Sequence, residues 1–160
     1  MDSKELYKEL VSNDLVKKNF FILSTSIDLF AEAIKCYNST TYLACCICVR
    51  SSIEALFHIA KTRTLTSLGA AAVDFDNSSY NDLKKWVIQN NLIDSDLEKK
   101  TNQVRHLGNF GAHLAQKIDK AYKKMPEEKP IDIWVTKDQA WNSLMNCKDL
   151  ILHIAKKKWK

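Results

Sequence analysis

DLVKKNFFILSTSIDLFAEAIKCY, residues 14–37, decides the fold. Its apolar residues Leu15, Phe20, Ile22, Leu23, Ile27, Leu29, Phe30, Ala33 and Ile34 recur at helical spacing, and no Gly or Pro interrupts them. The pattern predicts a long helix from Asp14 to about Tyr37. Asn38-Ser39-Thr40 then supplies a stop and a capping oxygen for a second helix, from Thr41 to about Lys61. Two long helices joined so closely pack as an antiparallel hairpin.

The first half of the second helix, Tyr42 to Val49, is apolar on every side, as a helix at the centre of a bundle must be. Further along, Arg50, Glu54 and His58 fall at i, i+4 and i+8 and form one narrow polar stripe. Two roles fit that stripe: an intrahelical ion pair with His58 near the exposed end, or a face that orients a segment of another helix.

Beyond the hairpin, Thr62 to Ser79 is rich in Thr, Ser, Ala and Asp around Gly69 and reads as a connecting loop. Ser79 to Gln89 resumes a helix, with Leu83, Trp86 and Val87 on one face. Ser95-Asp96-Leu97-Glu98 fits a capping box that opens the next one. Lys117 to Pro130 reads as an exposed connection, and Ile131 to Val135 as an extended lead-in, because a single strand has no partner for its backbone. Thr136-Lys137-Asp138-Gln139 is a second capping box, before a final helix with Trp141, Leu144, Met145, Leu150, Ile151 and Ile154. With 160 residues, three Gly and two Pro, the chain is expected to be one domain, residues 1–160, and an all-α bundle of four to five helices.

The formal net charge of +5 comes mostly from one end. Lys156, Lys157, Lys158 and Lys160 supply four of the 24 basic residues, and the remaining 20 nearly balance 19 acidic ones. A basic tail of this kind suits a solvated helix end. The five cysteines are an odd number, and Cys45, Cys46 and Cys48 crowd into one apolar run, so a reducing compartment and a packing role are expected. No paired C-x-x-C spacing is present, and no metal or other cofactor is expected. The opening Met1-Asp2-Ser3-Lys4-Glu5 is unlike a signal peptide, and no run reaches about 18 uncharged residues. A cytoplasmic protein without membrane association is the expectation.

Val104-Arg105-His106-Leu107-Gly108-Asn109-Phe110-Gly111-Ala112-His113 departs from ordinary helix sequence. It holds two of the three glycines, and a mid-helix Gly costs about 1 kcal/mol relative to Ala. Gly108 and Gly111 therefore point to a close backbone approach by a neighbouring helix, a second subunit or a ligand, or to a break between two helices. In a continuous helix Arg105, Asn109 and His113 succeed one another at i, i+4 and i+8. Guanidinium, amide and imidazole along one side are the parts for holding an RNA phosphate. They also suit cleavage of RNA without metal, in which one group handles the 2′-hydroxyl proton and a fixed charge faces the developing phosphorane.

Val49-Arg50-Ser51-Ser52-Ile53-Glu54-Ala55-Leu56, followed at a distance by Arg105 to His113, resembles the domain-of-unknown-function family 4145. That family is grouped with the HEPN superfamily (higher eukaryotes and prokaryotes nucleotide-binding). The resemblance runs from the first long helix to the last and implies a compact HEPN-like bundle, often dimeric, in prokaryotic defence or toxin–antitoxin-type systems. It also implies a metal-independent ribonuclease site from an Arg, a following polar residue and a later His, here Arg105, His106 and His113. The interval from Arg105 to His113 is longer than the usual one, and each added residue turns a helical side chain by about 100°.

These features assign catalysis to Arg105 and His113, with His106, Asn109, Arg50 and Glu54 supporting and Gly108 and Gly111 as points of close backbone approach. The expected partners are a second copy of the chain, RNA, and a protein of the same defence system. The alternative is a non-catalytic helical protein-interaction module in which Arg105, Asn109 and His113 are structural. A nucleotide-binding domain without hydrolysis ranks below both, because no P-loop-type Gly-rich loop is present.

Overall fold

The computed structural model of the chain describes residues 2–67, 78–112 and 135–157, with side chains as far as Asn109 in the middle span. The described residues form an all-α bundle of seven helices. These are α1 (Ser3–Ser12), α2 (Asp14–Lys18), α3 (Phe20–Asn38), α4 (Tyr42–Ser67), α5 (Tyr80–Gln89), α6 (Ser95–Ala112) and α7 (Lys137–Ala155). The expected connection 117–130, most of the lead-in 131–135, and Gly69 lie outside the described residues.

The helix expected from Asp14 to Tyr37 is two helices. Asn19 separates α2 from α3, and its side-chain amide donates to the carbonyls of Leu15 (2.9 Å) and Ala155 (3.1 Å). Satisfying those carbonyls from a side chain lets the backbone turn there without leaving polar groups unpaired. α1, which the hydrophobic pattern did not suggest, is opened by a capping box between Asp2 and Glu5 and buries Leu6 and Leu10. Its Glu9 holds the ammonium of Lys148 on α7 at 2.8 Å, and Lys148 is only 5% exposed, so the lysine stem serves as core while its charge is paired.

The α3–α4 hairpin is present as expected, but its turn works differently. Thr40 takes a positive φ of 59°. The N–H of Thr40 bonds the Tyr37 carbonyl and that of Thr41 the Cys36 carbonyl, at 3.0 and 2.9 Å, which is a Schellman closure with threonine where glycine is usual. The Thr41 hydroxyl turns back and donates to the Cys36 carbonyl at 2.8 Å. α5 ends the same way, with Asn91 at a φ of 54° and bonds from Asn91 and Leu92 to Ile88 and Val87.

α4 is the central helix and runs six residues past the expected end at Lys61. It packs against α3, α5, α6 and α7. Cys45, Cys46, Val49, Ile53, Leu56, Phe57 and Ala60 are buried along it. By length and composition the stretch Tyr42–Thr66 is apolar enough to cross a membrane, and 44% of an apolar 18-residue span within it is buried inside the bundle. At its middle, Ser26 of α3 and Ser52 of α4 exchange hydroxyl-to-carbonyl bonds of 3.0 and 2.7 Å, which satisfies both buried hydroxyls and brings the two helices close. The capping box at Thr136 opens α7 as expected. That expected at Ser95 is displaced by one residue. Asp94 accepts the Leu97 N–H at 2.9 Å, so Ser95 lies inside α6.

Candidate functional site at the crossing of α4 and α6

Gly108 lies where α6 crosses α4. A β-carbon there would stand 2.6 Å from the Arg50 Cβ, 2.8 Å from its Cδ and 3.1 Å from the carbonyl oxygen of Cys46. Of the alternatives for this glycine, the structure selects close approach of a neighbouring helix, and α6 continues through it to Ala112. The space left by the missing side chain is taken by the Arg50 stem, which lies across α6 toward α5.

The Arg50 guanidinium sits 5.7 Å from the centre of the Tyr80 ring, at the start of α5. Its terminal nitrogen is 3.9 Å from a Glu54 carboxylate oxygen, the i, i+4 pair expected from the spacing. The Nε is buried without a hydrogen-bond partner among the described residues, while the side chain as a whole is 25% exposed. Arg50 is thus held by packing and aromatic contact more than by its ion pair, and part of its charge faces solvent.

Arg105 lies on α6, three residues before Gly108. Burial pushes the Tyr80 phenol above its ordinary range, and the charges of Arg50 and Arg105 both pull it the other way. The phenol donates to the Thr101 carbonyl of α6 at 3.2 Å, which ties α5 to the turn that carries Arg105. Arg105 and Asn109 are half-buried and His106 is exposed. Arg50 on α4 and Arg105 on α6 are thus carried by the two helices that cross at Gly108, both half-buried, with Glu54 as the carboxylate beside Arg50. Such a pair suits an anion with several oxygens.

The polar stripe of α4 serves two sides. Arg50 packs on α6, whereas Glu54 and His58 line a cavity of about 440 Å³ between α4 and α3, with Ile22 and Ile59 in its walls and Phe21, 89% exposed, at its rim. His113 lies outside the described residues, and Gly111 is placed only as part of the α6 backbone. No group of three or more His, Cys, Asp or Glu side chains suited to a metal occurs among the described residues.

Tyr80 escaped the sequence reading because its spacing marks only the first turn of α5; nothing local says that it lies under Arg50. A polar groove between α6 and α7 escaped too, since its carboxamides are spread over helices far apart in the chain.

No curated protein and no solved structure matches the chain. Residues 31–126 match the family described as Domain of unknown function (DUF4145), a span that takes in α4, α5, α6 and every residue of the arginine crossing. The chain belongs to that family.

Proposed function

We propose that this chain is a HEPN-like, cytoplasmic, dimeric RNA-phosphate-binding domain of a prokaryotic defence or toxin-type system, acting as a metal-independent endoribonuclease. The observation that carries the proposal is the partly exposed Arg50 of α4 seated in the Gly108 gap at its crossing with α6, the helix that also bears Arg105. Two guanidinium groups on crossing helices offer planar donor forks to phosphate oxygens and hold the charge that builds on a phosphorane. Asn109 follows Arg105 by one helical turn and orients the phosphate. His113, at the next i+4 step in sequence, moves the proton of the 2′-hydroxyl.

The test is a binding and cleavage assay with labelled single-stranded RNA in the presence of a chelator. Wild-type protein is expected to bind and cleave. Arg105→Ala should weaken binding about tenfold, in line with a charge-assisted contact of ~1.5–3 kcal/mol. His113→Ala should abolish cleavage and leave binding in place. Absence of cleavage by wild type and variants alike removes the nuclease half, and absence of binding removes the whole.

One observation favours the second reading, a non-catalytic helical interaction module. The Gly108 gap is filled by Arg50, so glycine here already serves helix packing. Thermal melts separate the two. A structural arginine lowers the melting temperature by several degrees when replaced by alanine, whereas a binding arginine costs little stability and at times adds some.

A further inference from the structure

Leu15, Phe20 and Phe21 are the exposed large apolar side chains among the described residues, and they fall together at the junction of α2 and α3. Exposed apolar side chains scattered singly are ordinary, whereas a cluster marks a contact surface. Beside them opens the cavity between α3 and α4, whose wall takes in Phe21 and Thr25 of α3 and Ala55 and Ile59 of α4. Its volume of about 440 Å³ exceeds the roughly 150 Å³ that admits a benzene ring, so it has room for a phenylalanine side chain. One face of the bundle thus offers both an aromatic knob and a hollow that fits it.

The charges on this face complement one another across a two-fold axis. Phe21, Thr25 and Asp28 follow at helical spacing on α3 and are all exposed, and the exposed Lys18 ends α2 three residues before Phe21. Neighbouring charges are matched locally, Lys17 with Asp14 at 3.7 Å and Lys35 with Glu32 at 2.6 Å. Lys18 and Asp28 form no ion pair with another described residue. A cation before the knob and a carboxylate after it suit a second copy of the same chain, because in a two-fold contact each copy returns what it receives. Setting Lys18 against the partner's Asp28 in antiparallel register also sets Phe21 against the partner's Thr25, at the wall of the partner's hollow. Charge and shape therefore select the same pairing.

We infer that the face from Lys18 to Asp28, with the α3–α4 cavity beside it, joins two copies of the chain about a two-fold axis, each Phe21 entering the other's cavity. The inference rests on the dimeric part of the function proposed above, to which it gives a contact surface, and it needs neither RNA nor the arginine crossing.

Sedimentation velocity of the full chain over a concentration series tests it, with circular dichroism to show that each variant is folded. Wild type should sediment as a dimer. Phe21→Asp should weaken dimerisation by about a hundredfold, since each dimer buries two such rings. Lys18→Asp and Asp28→Lys should each weaken it about tenfold by opposing like charges at two symmetric contacts. The double variant Lys18→Asp with Asp28→Lys should return close to the wild-type affinity, and this rescue decides the matter if Phe21→Asp fails to fold. A dimer that tolerates Phe21→Asp, or charge reversals that have no effect or are not rescued in the double variant, overturns this interface while the dimeric reading stands. A wild type that stays monomeric throughout overturns the dimeric reading together with the interface, and leaves the RNA-phosphate reading to its own assay.

Discussion

Gly108 shows how one missing side chain positions an arginine. Because the Arg50 stem occupies the space beside it, any β-carbon must push on Arg50 and on the Cys46 carbonyl, which belongs to the buried face of the central helix. Overpacking of this kind costs about 1–3 kcal/mol, against a helix-propensity gain of about 1 kcal/mol for Gly→Ala. Gly108→Ala is therefore expected to destabilise the fold by about 1 kcal/mol, read as a lower urea midpoint, and to weaken RNA binding by displacing Arg50. A stabilised Gly108→Ala protein would show that α6 yields freely at the crossing. The cysteines make a separate case. Burial raises the Cys45, Cys46 and Cys147 thiols and pushes Cys48 up to about 11, with Cys36 beside it adding to the effect. Since the thiolate is the reactive form, at most two of the five thiols, Cys36 and Cys48, should label in native protein at pH 8, and all five after unfolding.

Helix ends carry much of what the sequence makes legible. The boxes at Ser79 and Thr136 consist of a hydroxyl and a carboxylate or amide three residues apart, a local chemistry that needs no tertiary contact to form. Thr136→Ala is expected to cost about 1 kcal/mol in a denaturant titration. At α6 the cap is the Asp94 carboxylate, and the Leu97 N–H holds it below its ordinary value of 3.8. A depressed carboxyl stabilises the fold above that ordinary value and loses its contribution as pH falls through the lower one. Asp94→Ala should therefore lower the melting temperature at neutral pH, and the gap to wild type should close as the solution is taken below pH 3.8. Thr40 is the reverse case, a β-branched residue held at positive φ to close α3. Relief of a conformation that costs about 1–2 kcal/mol, less the entropy that glycine brings, predicts that Thr40→Gly raises the stability by ~0.5–1 kcal/mol.

For the molecule as a whole, the bundle is organised by α4, whose neighbours on four sides explain why no polar face runs its full length. If the arginine crossing holds a phosphate, RNA affinity must fall with salt, and Arg105→Ala should reduce the slope of log K against log salt by about 0.7, one phosphate contact on a single strand. An unchanged slope would place the RNA elsewhere on the surface. The helical class, the α3–α4 hairpin, the central place of α4 and the Arg50–Glu54 pair were all legible in the chain, because each depends on residues a few positions apart and on the 3.6-residue period. The break at Asn19 was not, since its amide reaches the Ala155 carbonyl at the far end of the chain. Nor was the direction of the polar stripe, which the helices packed on each side divide between an arginine crossing and an apolar cavity. Short-range bonding and periodicity are written in neighbouring residues. Which side chains from distant helices share a space follows only when the helices have packed, because that meeting is set by crossing geometry and by gaps such as the one at Gly108.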